Sequence, residues 1–377
     1  MLIGMGRQIV VCCDGTWNAP DEARAGIAAP TNVAKLALAL SRHRDDGQLL
    51  FYEPGVGTDT DDRVSGGAFG YGLSRNIRNC YHYLALNYQD GDELYLFGFS
   101  RGAYTARSLA GLIRNCGLLE TENADEVDDA FAMYRDRSSH THPCALSAEI
   151  FRREYSHDSL EITFIGVWDT VGALGIPAGL PGSEQVSRAF PGWEQLWGFH
   201  DTQLSRYVGH AAHALAIDEQ RAAFQPTLWT QDPQADQELA QVWFSGVHSE
   251  IGGGSKDTAL SDIALLWIID RARTAGLRMD PQALAVATDD GVNQRVAPDY
   301  AGPLIDSRHG IYRVVHAYHR LRELPVGDAP RQFVATSAER RYREHVDGYA
   351  PPGLDAYLDA LKTFQVVDGS DEPPSRP

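Results

Sequence analysis

The segment Gly98-Phe99-Ser100-Arg101-Gly102 sets a serine between two glycines, after the apolar run ELYLF and before a helix that begins near Ala103. A sharp strand-to-helix turn at that place forces the serine backbone into strain and presents its hydroxyl at the carboxyl edge of a sheet. The N–H of Arg101 then lies at a helix N-terminus, where it can meet an oxyanion. Both glycines are demanded, because a side chain at either position would run into the neighbouring strand or helix. With 36 glycines in the chain the letters alone are weak, and the flanks give them meaning. The plain alternative is a Gly-rich turn with a capping serine. A nucleophilic serine needs a base and an acid that orients it. Asp169 follows FIGVW directly and His248 follows VWFSGV, so both stand where strands end. Each has an ordinary reading as well, a turn-forming Asp and an imidazole bonded to a loop carbonyl. Among 13 histidines His345 is the strongest rival base, ahead of His210, His213, His309, His316 and His319. The loop Asp14-Gly15-Thr16-Trp17-Asn18, after the first strand, is where a second oxyanion donor is expected, the N–H of Gly15 or Thr16. Asp14 would bond that loop into shape, and a simple strand-ending turn is the alternative.

These residues need a scaffold that gathers strand ends. RQIVVCC, LLFY (49–52), ELYLFGF, ITFIGVW (162–168), HALAI (213–217) and QVWFSGV (241–247) read as strands. Helical stripes lie between several of them: Val33, Leu36, Ala37 and Leu40; Leu73, Ile77, Cys80, Tyr81 and Leu84; Leu109, Leu112 and Ile113; Ile263, Leu266, Trp267 and Asp270. Nearly all-apolar strands alternating with helices imply an α/β fold with a mostly parallel sheet covered on both faces. Residues 170–207 interrupt the rhythm with three prolines and a set of large apolar side chains, and read as an inserted lid-like segment or an ordinary packed connection. Leu174, Ile176, Trp193 and Trp197 within it are candidate contacts for an acyl chain. The expected organisation is one catalytic domain over 1–365, its part from 280 to 365 helical, and a polar disordered tail over 366–377.

Composition narrows the function. The 377 residues include 33 Lys+Arg and 51 Asp+Glu, a formal charge of −18 that disfavours nucleic-acid binding and, less strongly, anionic membranes. No apolar stretch approaches the roughly 18–20 residues of a spanning helix, and the start has too brief an apolar region for a signal peptide, so a cytoplasmic chain is expected. Five cysteines without C-x-x-C spacing argue against a disulfide framework or a metal site. GGAFGYGLSR (66–75) has Arg75 where a dinucleotide fingerprint needs its third glycine, no GK[ST] is present, and TDTDDR (58–63) lacks EF-hand spacing. No cofactor and no metal are expected. Two classes remain, a serine ester hydrolase and a non-catalytic binding protein on the same fold.

The chain resembles the α/β-hydrolase-like catalytic domain of bacterial type VI secretion lipase effectors, a family also found in stand-alone bacterial and fungal proteins. CDGTWN (13–18), TNV (31–33), Tyr52 with GVGT (55–58), GFSRGAYTAR (98–107), VWDTVG (167–172), HALAIDE (213–219), WFSGVHSEIGGG (243–254) and LSD (260–262) look like its motifs in its order, over about residues 7–270. The family usually carries Asp where Glu250 stands. The resemblance implies a triad of Ser100, Asp169 and His248 and a phospholipase-like activity. As partners it implies an ester or lipid substrate and a secretion or immunity protein of unspecified identity.

Overall fold

The computed structural model describes residues 6–15, 23–24, 27–42, 47–56, 66–136, 138–171, 202–232, 236–284, 286–287, 293–294, 296–308, 319–323 and 331–367. The runs read as strands bury both faces by lying side by side. They are β1 (Gln8–Cys13), β2 (Gln48–Glu53), β3 (Glu93–Phe99), β4 (Ile162–Trp168), β5 (Val208–Ala216) and β6 (Glu238–Phe244). Two short strands, β7 (Gln332–Ala335) and β8 (Thr363–Phe364), extend the same sheet in the order β8-β7-β6-β5-β4-β3-β1-β2, and every pairing is parallel. The part from 280 to 365 is therefore not simply helical. QFVA and TF are too short to show a period, and pairing with β6 decides their conformation.

The helices are α1 (Asn32–Arg42), α2 (Gly66–Asn87), α3 (Arg101–Cys116), α4 (Val127–Arg135), α5 (Leu146–Tyr155), α6 (His248–Gly252), α7 (Ala259–Thr274), α8 (Arg320–Glu323), α9 (Thr336–Arg343) and α10 (Leu354–Ala360). Strand side chains alternate between two cores. Ile9, Val11 and Cys13 join α2 and α3 on one face, whereas Val10 and Cys12 join α1 and α7 on the other. Each fully buried aliphatic side chain contributes about 1.5–3 kcal/mol. Among the described residues no helix is long and apolar enough to cross a membrane.

The strand order reverses between β1 and β3. The chain leaves β1 for α1 on one face and leaves β3 for α3 on the other, which opens a crevice at the carboxyl edge between them. Three distant segments close around that edge. Thr31 accepts the Ala34 N–H at 3.0 Å as the cap of α1 and bridges Gly253. Asn32 donates to the carbonyls of Ile251 and Ser261, both at 2.9 Å. Buried Lys35 pairs with Asp262 at 2.6 Å, tying α1 to α7. Of residues 170–207, the positions 172–201 lie outside the described residues, and at the margins Val171 bridges Pro226 and Gln203 bridges Thr230.

Candidate active site

Ser100 occupies the turn between β3 and α3 with φ 57° and ψ −120°, a conformation costly for any residue but glycine. Close packing enforces it. A Cβ on Gly98 would stand 2.4 Å from the Gly102 carbonyl oxygen, and one on Gly102 would stand 2.1 Å from that of Cys13. The Ser100 N–H donates to the Trp168 carbonyl at 3.0 Å, which locks the turn to the end of β4. Its hydroxyl makes no capping bond to α3, contrary to the capping alternative, and lies 2.8 Å from His248 Nε2.

His248 opens α6, and its ring lies between Phe99 and Phe224, with centroids at 4.7 and 4.8 Å. Nδ1 lies 2.6 Å from Asp169 Oδ2. A proton on Nδ1 satisfies both contacts, donating to the carboxylate and leaving Nε2 to accept from the serine hydroxyl. Burial lowers the imidazole below its ordinary value, an effect that the hydrogen bond and charge of Asp169 only partly offset. Burial thus favours the neutral form of the ring.

Asp169 also has positive φ, 38°, and has no exposed surface. Its Oδ1 accepts the Ala216 N–H at 3.0 Å and Arg320 Nη1 at 2.5 Å, and its Oδ2 accepts Arg320 Nη2 at 3.0 Å besides the His248 bond. Burial alone would push this carboxyl up. The Arg320 charge and the His248 bond outweigh burial and hold it well below the usual carboxylate range. Glu219 accepts the His248 N–H at 3.3 Å and is forked by Arg221, whose guanidinium stacks over Phe224.

The structure therefore brings Ser100, Asp169 and His248 together, and it places the other expected residues as follows. Arg101 begins α3, where helix N–H groups have no intrahelical acceptor. The N–H of Gly15, one of the two expected donors on the loop after β1, donates to Asp14 Oδ1 at 2.6 Å. The reason is the charge of Asp14, a stronger acceptor than any group a bare turn would offer. The other carboxylate oxygen of Asp14 accepts from Thr31 Oγ1 at 2.7 Å and from Tyr52 at 2.5 Å, so Asp14 ties the end of β1 to the start of α1 and to β2. Thr16, Leu174, Ile176, Trp193 and Trp197 lie outside the described residues. His345 is exposed after α9 with its ring near Tyr342. His213 is buried in β5, where burial and the Arg107 charge push it down to about 3, and its Nε2 accepts the Thr170 N–H. Arg320, Phe224 and Arg221 were not among the expected residues. Glu219 alone had a signal, as the last residue of HALAIDE.

Among the described residues no group of three His, Cys, Asp or Glu side chains is placed to hold a metal. A cavity of about 360 Å³ lies on the α3 face, bordered by Arg107, Asn115, Tyr134 and Trp229, and none of Ser100, Asp169 or His248 lines it.

The chain is 30% identical over 249 residues to the uncharacterized protein YEL023C of Saccharomyces cerevisiae, a match that covers 60% of this chain and 33% of the yeast protein. It thus spans about a third of that relative's length. A crystal structure of an uncharacterized protein from Pseudomonas aeruginosa is similar at 18% identity and a TM-score of 0.44, over 74% of this chain and 47% of that one. Residues 7–271 match the family described as "T6SS, Phospholipase effector Tle1-like, catalytic domain". That span includes the turn at Ser100 and both of its partners, and the chain belongs to this family of type VI secretion phospholipase effector catalytic domains.

Proposed function

We propose that the chain is a serine hydrolase of lipid-like carboxylic esters, phospholipids foremost, working through an acyl-enzyme. The observation that carries this reading is the unbroken chain of contacts from Ser100 Oγ to His248 Nε2 at 2.8 Å and from Nδ1 to Asp169 Oδ2 at 2.6 Å, set on a strained strand-to-helix turn. Ser100 Oγ attacks the ester carbonyl as its proton passes to His248 Nε2, and Asp169 stabilises the imidazolium. The tetrahedral oxyanion is held by the Arg101 N–H and, from the loop after β1, the N–H of Thr16. The intermediate expels the alcohol, which takes the proton from His248, and water then releases the acid by the same steps. The phospholipase family supports the lipid class of substrate and delivery by a type VI secretion system.

Two measurements test the reading. A fluorophosphonate should label the chain once, at Ser100, and the protein should release fatty acid from phosphatidylcholine vesicles. Absence of labelling would return the chain to the non-catalytic alternative. Labelling with turnover of acetyl esters but not of phospholipids would retain the mechanism and remove the substrate class.

A further inference from the structure

Asp169 is bound more heavily than an orienting acid requires. Besides its contacts with His248 and Ala216, a guanidinium spans both of its oxygens. That guanidinium belongs to Arg320 on α8, 151 residues further along the chain, and has no exposed surface. Arg320 also donates to the carbonyls of Ala216, at 3.0 Å, and Phe224, and Phe224 packs edge-on against His248. A buried guanidinium is costly unless a carboxylate offsets it. The planar fork also admits only one orientation of that carboxylate.

We propose that Arg320 is a positioning residue for the chemistry of Ser100, His248 and Asp169, fixing the carboxylate that meets the imidazole and balancing its charge. The inference rests on the triad reading and extends the working unit beyond residue 271, where the family match ends, to α8. Among the described residues, the charged groups that meet His248 directly or through a shared partner are Asp169 from the end of β4, Glu219 and Arg221 after β5, and Arg320 behind Asp169. Phe99 and Phe224 flank its ring, and Ser100 meets Nε2. These two carboxylates and two guanidiniums sum to zero among themselves while the imidazole is neutral. A proton on His248 alone leaves this buried group of charges net positive, and the oxyanion formed in the same step restores its balance. Protonation is thereby tied to the reaction and disfavoured in the resting enzyme. Without Arg320 the carboxylates outnumber the cations, and the Asp169–His248 pair takes up a proton at higher pH, whichever of the two holds it.

The experiment follows the second-order rate of fluorophosphonate labelling against pH in the full chain. In that reaction the Ser100 Oγ–P bond forms, fluoride leaves and the hydroxyl proton passes to His248. Arg320→Gln should lower the plateau rate about 100-fold through misplacement of the acid. It should also move the acid limb up by about one pH unit, as the loss of one nearby charge does. Arg320→Lys keeps the charge and loses the fork, so its plateau should fall while its limb stays where the wild type has it. A plateau within about threefold of wild type and an unmoved limb in Arg320→Gln would overturn the proposal. So would a limb that moves as far in Arg320→Lys. If Arg320→Gln does not fold, Arg320→Lys decides: a lowered plateau with an unmoved limb supports the proposal, and a wild-type plateau overturns it. A wild type that is not labelled, or is labelled elsewhere than Ser100, overturns the triad reading itself. A labelled wild type with indifferent Arg320 variants overturns only the role of Arg320.

Discussion

The two ends of the contact chain through His248 are held by different forces. At one end Ser100 is fixed by backbone: two glycines packed to contact, an N–H bonded to Trp168, and a strained φ, all within five residues of sequence or across one strand pairing. At the other end Asp169 is fixed by charge, through a guanidinium from α8 and an imidazole from α6. Packing of backbone is local and indifferent to pH. Charge pairing reaches across the chain, depends on pH, and leaves a buried ion behind when one partner is removed. One end should therefore lose chemistry without losing the fold, and the other should lose both.

On the proposed mechanism Ser100→Ala should make the largest difference in activity, a loss on the order of 10⁶-fold in kcat toward esters, because it removes the proposed attacking atom. Its thermal unfolding should match the wild type, since the turn is built from neighbours of the hydroxyl and not from the hydroxyl itself. A variant that keeps activity within about tenfold would remove Ser100 as the nucleophile. Asp169→Asn should cost less in rate, about 10⁴-fold, because an amide selects the wrong imidazole tautomer and cannot stabilise imidazolium. It should cost more in stability, about 3 kcal/mol or more in denaturant unfolding, because Arg320 is left buried without its carboxylate. Equal stability of the two variants would erase the contrast between the ends.

That contrast also explains what was legible beforehand. The turn at Ser100 has a local signature, because the clashes that demand glycine act between residues close in sequence or in adjacent strands. Asp169 and His248 could be read because each follows a strand, and strand ends of a parallel sheet share one edge. Arg320 carries no such mark. It lies on the four residues of α8, and its partner is chosen by how the last third of the chain returns to the sheet. β7 and β8 escaped notice for the same reason, since four and two residues have no readable period. The loop after β1 could be read from its place after a strand, but the bond of its Gly15 N–H to Asp14 could not. Whether Gly15 faces the site or Asp14 depends on a side-chain rotamer, and spacing says nothing about rotamers.

The smallest effect expected lies at the turn before His248, where charge again does the holding. Glu250 accepts the N–H groups of Val247 and Ile305, both at 2.9 Å, and Asp218 accepts that of Gly246 at 2.7 Å. Burial pushes Glu250 from 4.5 up to about 7 and Asp218 from 3.8 up to about 6, against the lowering effect of those N–H bonds. Both carboxyls hold protons more tightly in the folded state than in the unfolded one. Between the two values for Glu250, 4.5 and about 7, the folded protein binds more protons, so stability falls as pH rises through that window. The Glu250 share is on the order of 3 kcal/mol across it. Glu250→Gln cannot ionise, and its single oxygen serves only one of the two N–H groups, a cost of about 1–3 kcal/mol at every pH. The variant should accordingly be the less stable protein near pH 5 and recover relative to the wild type near pH 8. Ser100→Ala, altered only at the backbone-held end, should keep the wild-type slope. Urea unfolding of the three proteins at the two pH values reads the difference. Parallel behaviour of Glu250→Gln and wild type would show that this turn is held by packing, as the turn at Ser100 is, and not by its carboxyls.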